Sequence, residues 1–212
     1  MVALSTLLRT ATRPQHEHAE TRSFVTDLMG GSLSRSAYLD LARQHYVIYS
    51  NLEGTAERFA DDPFVGRFVM PEVLRLDAIR ADLRTLCGED WRSGIVPLAA
   101  TDEYAQRLAA ITDPAHFLAH AYTRYLGDLS GGQAIAAMLK RHYGFTAEEL
   151  TFYKFNVGKI KVFKDRYREM MDAVPFSPDQ AQEAAAEAQV AFDLNAAVFM
   201  ELGALHPATA LV

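Results

Sequence analysis

Apolar positions along this chain recur at intervals of three and four rather than two, so the pattern is helical almost throughout. The spacing predicts a first helix from Leu4 to Met29, stopped by Gly30-Gly31 and kinked at Pro14. Ser34 or Ser32 caps a second through Arg58, with Ala37, Leu41, His45, Ile48 and Leu52 on one stripe and Asp61-Asp62-Pro63 behind it. A third is expected from Pro71, carrying Leu76, Ile79, Leu83 and Leu86, and then a loop from Gly88 to Pro97. Asp102 opens a short helix that stops near Asp113-Pro114, and a longer one follows to about Tyr143. Thr146-Ala147-Glu148-Glu149 reads as a capping box for a short piece. The basic residues fall on a helix over Val157 to Met171. Ser177-Pro178-Asp179 starts the last helix, with Val190, Leu194, Val198 and Leu202 in line. No alternating strand, repeat or linker interrupts the series. The expectation is an all-α fold, one domain over residues 1–212 with its core at about 4–205.

Composition narrows the function. The chain has 212 residues, 50% hydrophobic and 23% charged, enough for a sizeable core. A net charge of −6 argues against nucleic-acid binding. The single cysteine, Cys87, excludes an internal disulfide and fits a reducing compartment. No run is read as long enough to span a membrane, and no signal peptide or membrane anchor is recognised. A cytoplasmic protein, expected to work as a monomer, follows.

One stretch departs from ordinary helix chemistry. The segment Leu118-Ala119-His120-Ala121-Tyr122-Thr123-Arg124-Tyr125-Leu126-Gly127-Asp128-Leu129-Ser130-Gly131-Gly132 has apolar residues at helical spacing before and after it, yet holds three glycines. Each costs about 1 kcal/mol relative to alanine inside a helix. A fold accepts that where backbone must approach something closely or where the helix must bend. Gly127 and Gly131, four apart, open a smooth strip on one face, with Asp128 beside it. A phosphate loop would need a preceding strand and a following Lys-Ser/Thr, and neither is present.

His16 is the second point of interest. Arg9 lies seven positions earlier, about 20° away around an ideal helix, and Glu20 four positions later on nearly the same face. A carboxylate one turn away can set an imidazole's tautomer and basicity, as it does for metal-ligating histidines. A lone histidine is usually structural, so spacing alone leaves both readings open. His18 lies about 200° from His16 around the helix and cannot share its target. His116 and His120 have zinc-like spacing but no HExxH pattern and no obvious third ligand. Lys159, Lys161, Lys164, Arg166 and Arg168 make a basic helix, usually just a solvated face, on which Lys161, Lys164 and Arg168 share a stripe.

The segment Leu118 to Gly132 resembles the signature helix of haem oxygenases, which kinks over the haem face. His16-Glu17-His18-Ala19-Glu20 is similar to the family's proximal segment, in which the first histidine binds iron. The resemblance covers about residues 4 to 205, and everything that follows here is what it implies. His16 is the metal ligand, supported by Glu20. Arg9, Tyr122, Lys164 and Arg168 hold the haem propionates, to which the shared stripe, rather than the resemblance, adds Lys161. Asp128 organises water over the glycine strip of Gly127 and Gly131, with Tyr49, Arg124 and Asn195 behind it. Phe192 and Phe199 wall the pocket from the last helix. The expected reaction uses haem, dioxygen and electrons from an external donor, a ferredoxin or a flavin reductase docking at the basic helix. Its products are biliverdin, carbon monoxide and ferrous iron. A haem carrier would need His16 and the cations but not the Asp128 network.

Overall fold

The protein is described by a computed structural model covering residues 2–20 and 22–208, with backbone alone for 18–20. Where the sequence predicts one helix over Leu4 to Met29, there are three: α1 (Leu4–Ala11), α2 (Arg13–Glu20) and α3 (Ser23–Gly30). The first break falls at Thr12. Pro14 has no N–H to return to the helix. The Thr12 hydroxyl donates to Leu8 O at 2.8 Å, while the Thr12 carbonyl accepts from the His16 N–H at 2.9 Å and starts the next helix. Gly31, at φ 79°, closes α3 in the left-handed conformation glycine favours.

The long α4 (Arg35–Arg58) follows Ser34, and its predicted stripe is buried. Two later helices start where their sequence gives no sign. Instead of Pro71, α5 (Leu76–Cys87) begins where Glu53 Oε1 accepts the N–H groups of Arg75 and Leu76, at 2.5 and 2.9 Å. Ahead of Asp102, α6 (Ala99–Ala109) begins where Glu201 accepts the Ala100 N–H at 3.0 Å. Orphan amides at a helix start need an acceptor, and here it comes from distant carboxylates.

Asp113 caps α7 (Pro114–Ala121) by accepting the Ala115 N–H at 2.7 Å. The chain then passes through a π-helical segment, Tyr122–Leu126, into α8 (Gly127–Tyr143). The predicted bend is therefore a widened turn, one of the recognised causes of a kink. Thr146 and Glu149 form both bonds of a capping box, at 2.7 and 3.3 Å, but they close a turn rather than a helix. Next come α9 (Ile160–Asp172) and α10 (Pro178–Leu205), the latter with the capping box of Ser177 and Gln180 in place.

The fold is all-α, with no strand among the described residues. Its axis is α10, which packs against α7, α2, α6, α1 and α3, while α4 packs on α5 and α6. Contrary to the sequence reading, α10 is long and apolar enough to cross a membrane, with a mean hydropathy of 1.2 over its most apolar window. One face of it packs: Ala184, Ala188, Ala191, Leu194, Val198 and Leu202 are buried among its neighbours. Val190, placed on the same line by spacing, is exposed.

Candidate functional site

A cleft of about 530 Å³ separates α1 and α2 on one side from the π segment and α8 on the other. Arg9 and His16 line the first wall, Tyr122, Gly127 and Ser130 the second, and Arg168 of α9 and Phe192 of α10 complete the lining. The structure thus brings together residues that are far apart in sequence, and it does so on two walls of different character.

On the proximal wall, His16 is exposed on α2 and its ring meets Phe192 edge-on, with centroids 5.6 Å apart. Arg9 shares the cleft although the break at Thr12 puts it on a separate helix. The Glu20 and His18 side chains lie outside the described residues. Phe199 departs from expectation: it does not line the cleft but stacks on Phe24 of α3, with centroids 6.3 Å apart. Two helical turns beyond Phe192, it falls against the neighbouring helix instead of the opening.

On the distal wall the glycines divide. A Cβ added at Gly127 or Gly131 would meet nothing within 4 Å, so both present open backbone. A Cβ at Gly132 would lie 2.8 Å from Tyr153 Cδ1, so this glycine lets an aromatic ring pack against the helix. Between them, the Ser130 hydroxyl donates to Leu126 O and accepts from Lys164 Nζ, both at 2.6 Å. Lys164 is therefore tied to the distal helix at the edge of the cleft. Its ammonium is held below the usual lysine range by partial burial and by Arg168. Burial raises the Tyr122 phenol, while the nearby cations Arg168 and Arg9 pull it back. Arg9, Tyr122 and Arg168 thus converge at one edge. Lys161 does not join them: it pairs with Asp165 at 2.6 Å and its side chain is 88% exposed.

Asp128 sits deeper. It accepts from the Tyr49 hydroxyl and lies 3.9 Å from Arg124 Nη2. Burial pushes its carboxyl well above the usual aspartate range. Arg124 Nη1 donates to Asn195 Oδ1 at 2.5 Å, and the guanidinium lies 5.0 Å from the centroid of the Tyr49 ring. Its Nε and Nη2 are buried without a hydrogen-bond partner. Buried donors are normally satisfied, so this guanidinium keeps capacity uncommitted. The four residues Tyr49, Arg124, Asp128 and Asn195 form one polar group behind the open glycines.

Sequence reasoning missed a second buried cluster. His120, fully buried on α7, places Nε2 2.8 Å from Glu187 Oε1 of α10 and Nδ1 3.4 Å from the Tyr104 hydroxyl of α6. Arg107 also pairs with Glu187. The available signal was a single acid inside an alanine run, Ala184-Ala185-Ala186-Glu187-Ala188, on the last helix. Small residues there mark a close helix crossing, and a carboxylate among them needs a partner from the helix it crosses.

Residues 2–201 match the family described as "Heme oxygenase". The chain is 36% identical to a heme oxygenase of Porphyra purpurea, over 94% of this chain and 86% of that protein. Among solved structures it is similar to heme oxygenase-1 of the cyanobacterium Synechocystis in complex with heme, with a TM-score of 0.91 and 33% identity over 96% and 94% of the two chains. The heme oxygenase of Leptospira interrogans gives a TM-score of 0.89 and 32% identity over 94% and 100%.

Proposed function

The chain belongs to the haem oxygenase family, and from that membership we propose how its residues divide the family's work. The family reaction cleaves haem oxidatively at a meso carbon, with dioxygen and electrons, to biliverdin, carbon monoxide and ferrous iron. Haem is both substrate and cofactor, and its iron supplies the centre at which dioxygen is reduced.

The observation that carries the reading is the open backbone of Gly127 facing the cleft whose other wall holds His16, with Gly131 open one turn further along the same helix. A flat ligand needs a wall without side chains on one face and a donor on the other. His16 is the residue for the iron: exposed, with its ring oriented by Phe192. Arg9, Tyr122, Lys164 and Arg168 take the two propionates at the edge where the cations gather. Charge-assisted contacts there fix which meso carbon lies under the distal helix. Asp128, held by Tyr49 and braced by Arg124 and Asn195, positions the water that delivers a proton at the reacting edge. Burial, which raises its carboxyl, makes it better able to hold a proton than an ordinary aspartate.

The electron donor is a ferredoxin or flavin reductase with an acidic face. In a chain of net charge −6, α9 and its start carry the exposed cations Lys159, Lys161 and Arg166, which suit an acidic partner. The protein works as a cytoplasmic monomer, its whole length serving as one domain. Adding haem and then reductant in air tests the reading. Loss of the Soret band with a green product supports it, a haem spectrum that persists points to a carrier, and no spectral change on adding haem overturns it.

A further inference from the structure

The basic residues of α9 are held in different ways. Asp165, on the same helix, takes Lys161 and Arg168 at 2.6 and 3.1 Å. Lys164 lies between them in sequence, and among the described residues no carboxylate comes within ion-pair distance of it. Its Nζ donates instead to Ser130 Oγ of α8, at 2.6 Å. A serine hydroxyl has one proton, and here it goes to Leu126 O, also at 2.6 Å. An ammonium can only donate, so the order of the bonds is fixed: Lys164 to Ser130, and Ser130 to the carbonyl that ends the π segment. The bond locates the ammonium without neutralising it, and leaves two of its three N–H groups for an anion.

The same bond joins two parts of the cleft. On one side, α9 packs against α1 of the proximal wall, and Asp172 at its end accepts from the Ser5 N–H and hydroxyl at 2.7 and 3.0 Å. On the other, Lys164 to Ser130 is the one hydrogen bond from α9 to α8 among the described residues. Ser130 lines the cleft three residues after Gly127, whose open backbone faces it. The anchor of the cation and the open backbone therefore sit within one turn of the same helix.

We propose that Ser130 is a positioning residue for regiochemistry: its hydroxyl holds the Lys164 ammonium in register with the open backbone at Gly127, so that where a propionate is gripped and which meso carbon lies under α8 are set together. This rests on the propionate role given to Lys164 above. A free lysine stem samples many rotamers and would grip a carboxylate over a range of positions. A pinned one grips at a single position, with the ordering already done before the ligand arrives. Arg9 and Arg168 reach the cleft independently of Ser130. Losing the hydroxyl should therefore blur the seating of haem rather than empty the cleft.

Ser130→Ala removes the acceptor at an exposed helical position and raises helix propensity, so the variant should fold. Proton NMR of the ferric cyanide complex reads the seating without turnover. The probe is a haem whose periphery is symmetric about the axis between its propionates, so that flipping it over adds no signals. Wild type should give one set of ring-methyl resonances, and Ser130→Ala a displaced or split set. In turnover with ordinary haem, the ratio of minor to major biliverdin isomer should rise by about tenfold in Ser130→Ala, the order expected for one lost hydrogen bond to a charged group. Lys164→Ala should change both readouts in the same direction. The double variant should be no worse than Lys164→Ala alone, because the hydroxyl acts only through the ammonium, whereas separate structural effects add. Methyl resonances at their wild-type positions in Ser130→Ala, or effects that add in the double variant, overturn the proposal. The single variants separate the two levels. If Lys164→Ala leaves the seating unchanged, the propionate role fails and the proposal falls with it; if Lys164→Ala shifts the seating and Ser130→Ala does not, only the positioning role fails.

Discussion

The two walls of the cleft are built on opposite plans. The proximal wall is two short helices broken at Thr12, with His16 exposed on the second. The distal wall is a bent helix cross-braced by Tyr49, Asn195 and Lys164 from three other helices. On the proposed roles, a wall that offers one iron ligand and one propionate cation tolerates exposure and short elements. A wall that has to hold a proton donor in register cannot, because small misplacements are expensive in rate.

The sharpest test of that contrast is His16→Ala. It should abolish native haem ligation and biliverdin formation, and added imidazole should restore the ferrous–CO spectrum, since the exposed wall leaves room for it. If His18→Ala does this instead, the proximal assignment is wrong. Asp128→Ala should lower turnover by about 10²–10⁴-fold, the range for a positioned proton donor, while haem affinity stays near wild type. Measuring both on one preparation separates chemistry from binding. The double variant Lys164→Ala/Arg168→Ala should let haem sit in more than one rotation, and chromatography should then show mixed biliverdin isomers.

Smaller effects distinguish glycines on the same helix. Gly132→Ala should destabilise by about 1–3 kcal/mol, as overpacking does, because its Cβ meets the Tyr153 ring at 2.8 Å. Gly127→Ala should stabilise the haem-free protein by about 0.5–1 kcal/mol through helix propensity, yet weaken haem binding by adding a side chain to the cleft wall. Denaturant midpoints with and without haem resolve the opposite signs. The mildest effect is on acid stability. The Glu187 carboxyl titrates at about 2 when folded against an ordinary value of 4.5. A depressed pKa stabilises the fold above the ordinary value, and that contribution is lost as pH falls from about 4.5 to about 2. Glu187→Met should flatten the stability profile in that window.

Much of this is legible in the chain. The glycines within Leu118 to Gly132 announce a helix under unusual demands, and Ser177-Pro178-Asp179 announces the start of α10. What cannot be read is what depends on partners distant in sequence. The starts of α5 and α6 are set by Glu53 and Glu201, and no local signal at Leu76 or Ala99 reports them. His120 shows only its spacing to His116, because the acid it meets lies on another helix. Resemblance assigns Phe199 to the pocket, but its turn of α10 faces α3.

The π segment Tyr122–Leu126 has a consequence beyond the bend. A widened turn accommodates one residue more than the α-helix around it, so it behaves as an insertion absorbed without lengthening the loop on either side. Each residue of an α-helix advances the chain by about 100° of rotation. Deleting one residue from this segment would let the helix close into continuous α geometry and would turn Gly127, Asp128 and Gly131 about a quarter of the way round relative to α7. The chain would keep its length to within one residue, its helices and most of its core, and lose the alignment between the open backbone and the cleft. Single-residue deletion here is thus a frame error in three dimensions, and a deletion scan across positions 118–132 should find turnover most sensitive inside Tyr122–Leu126.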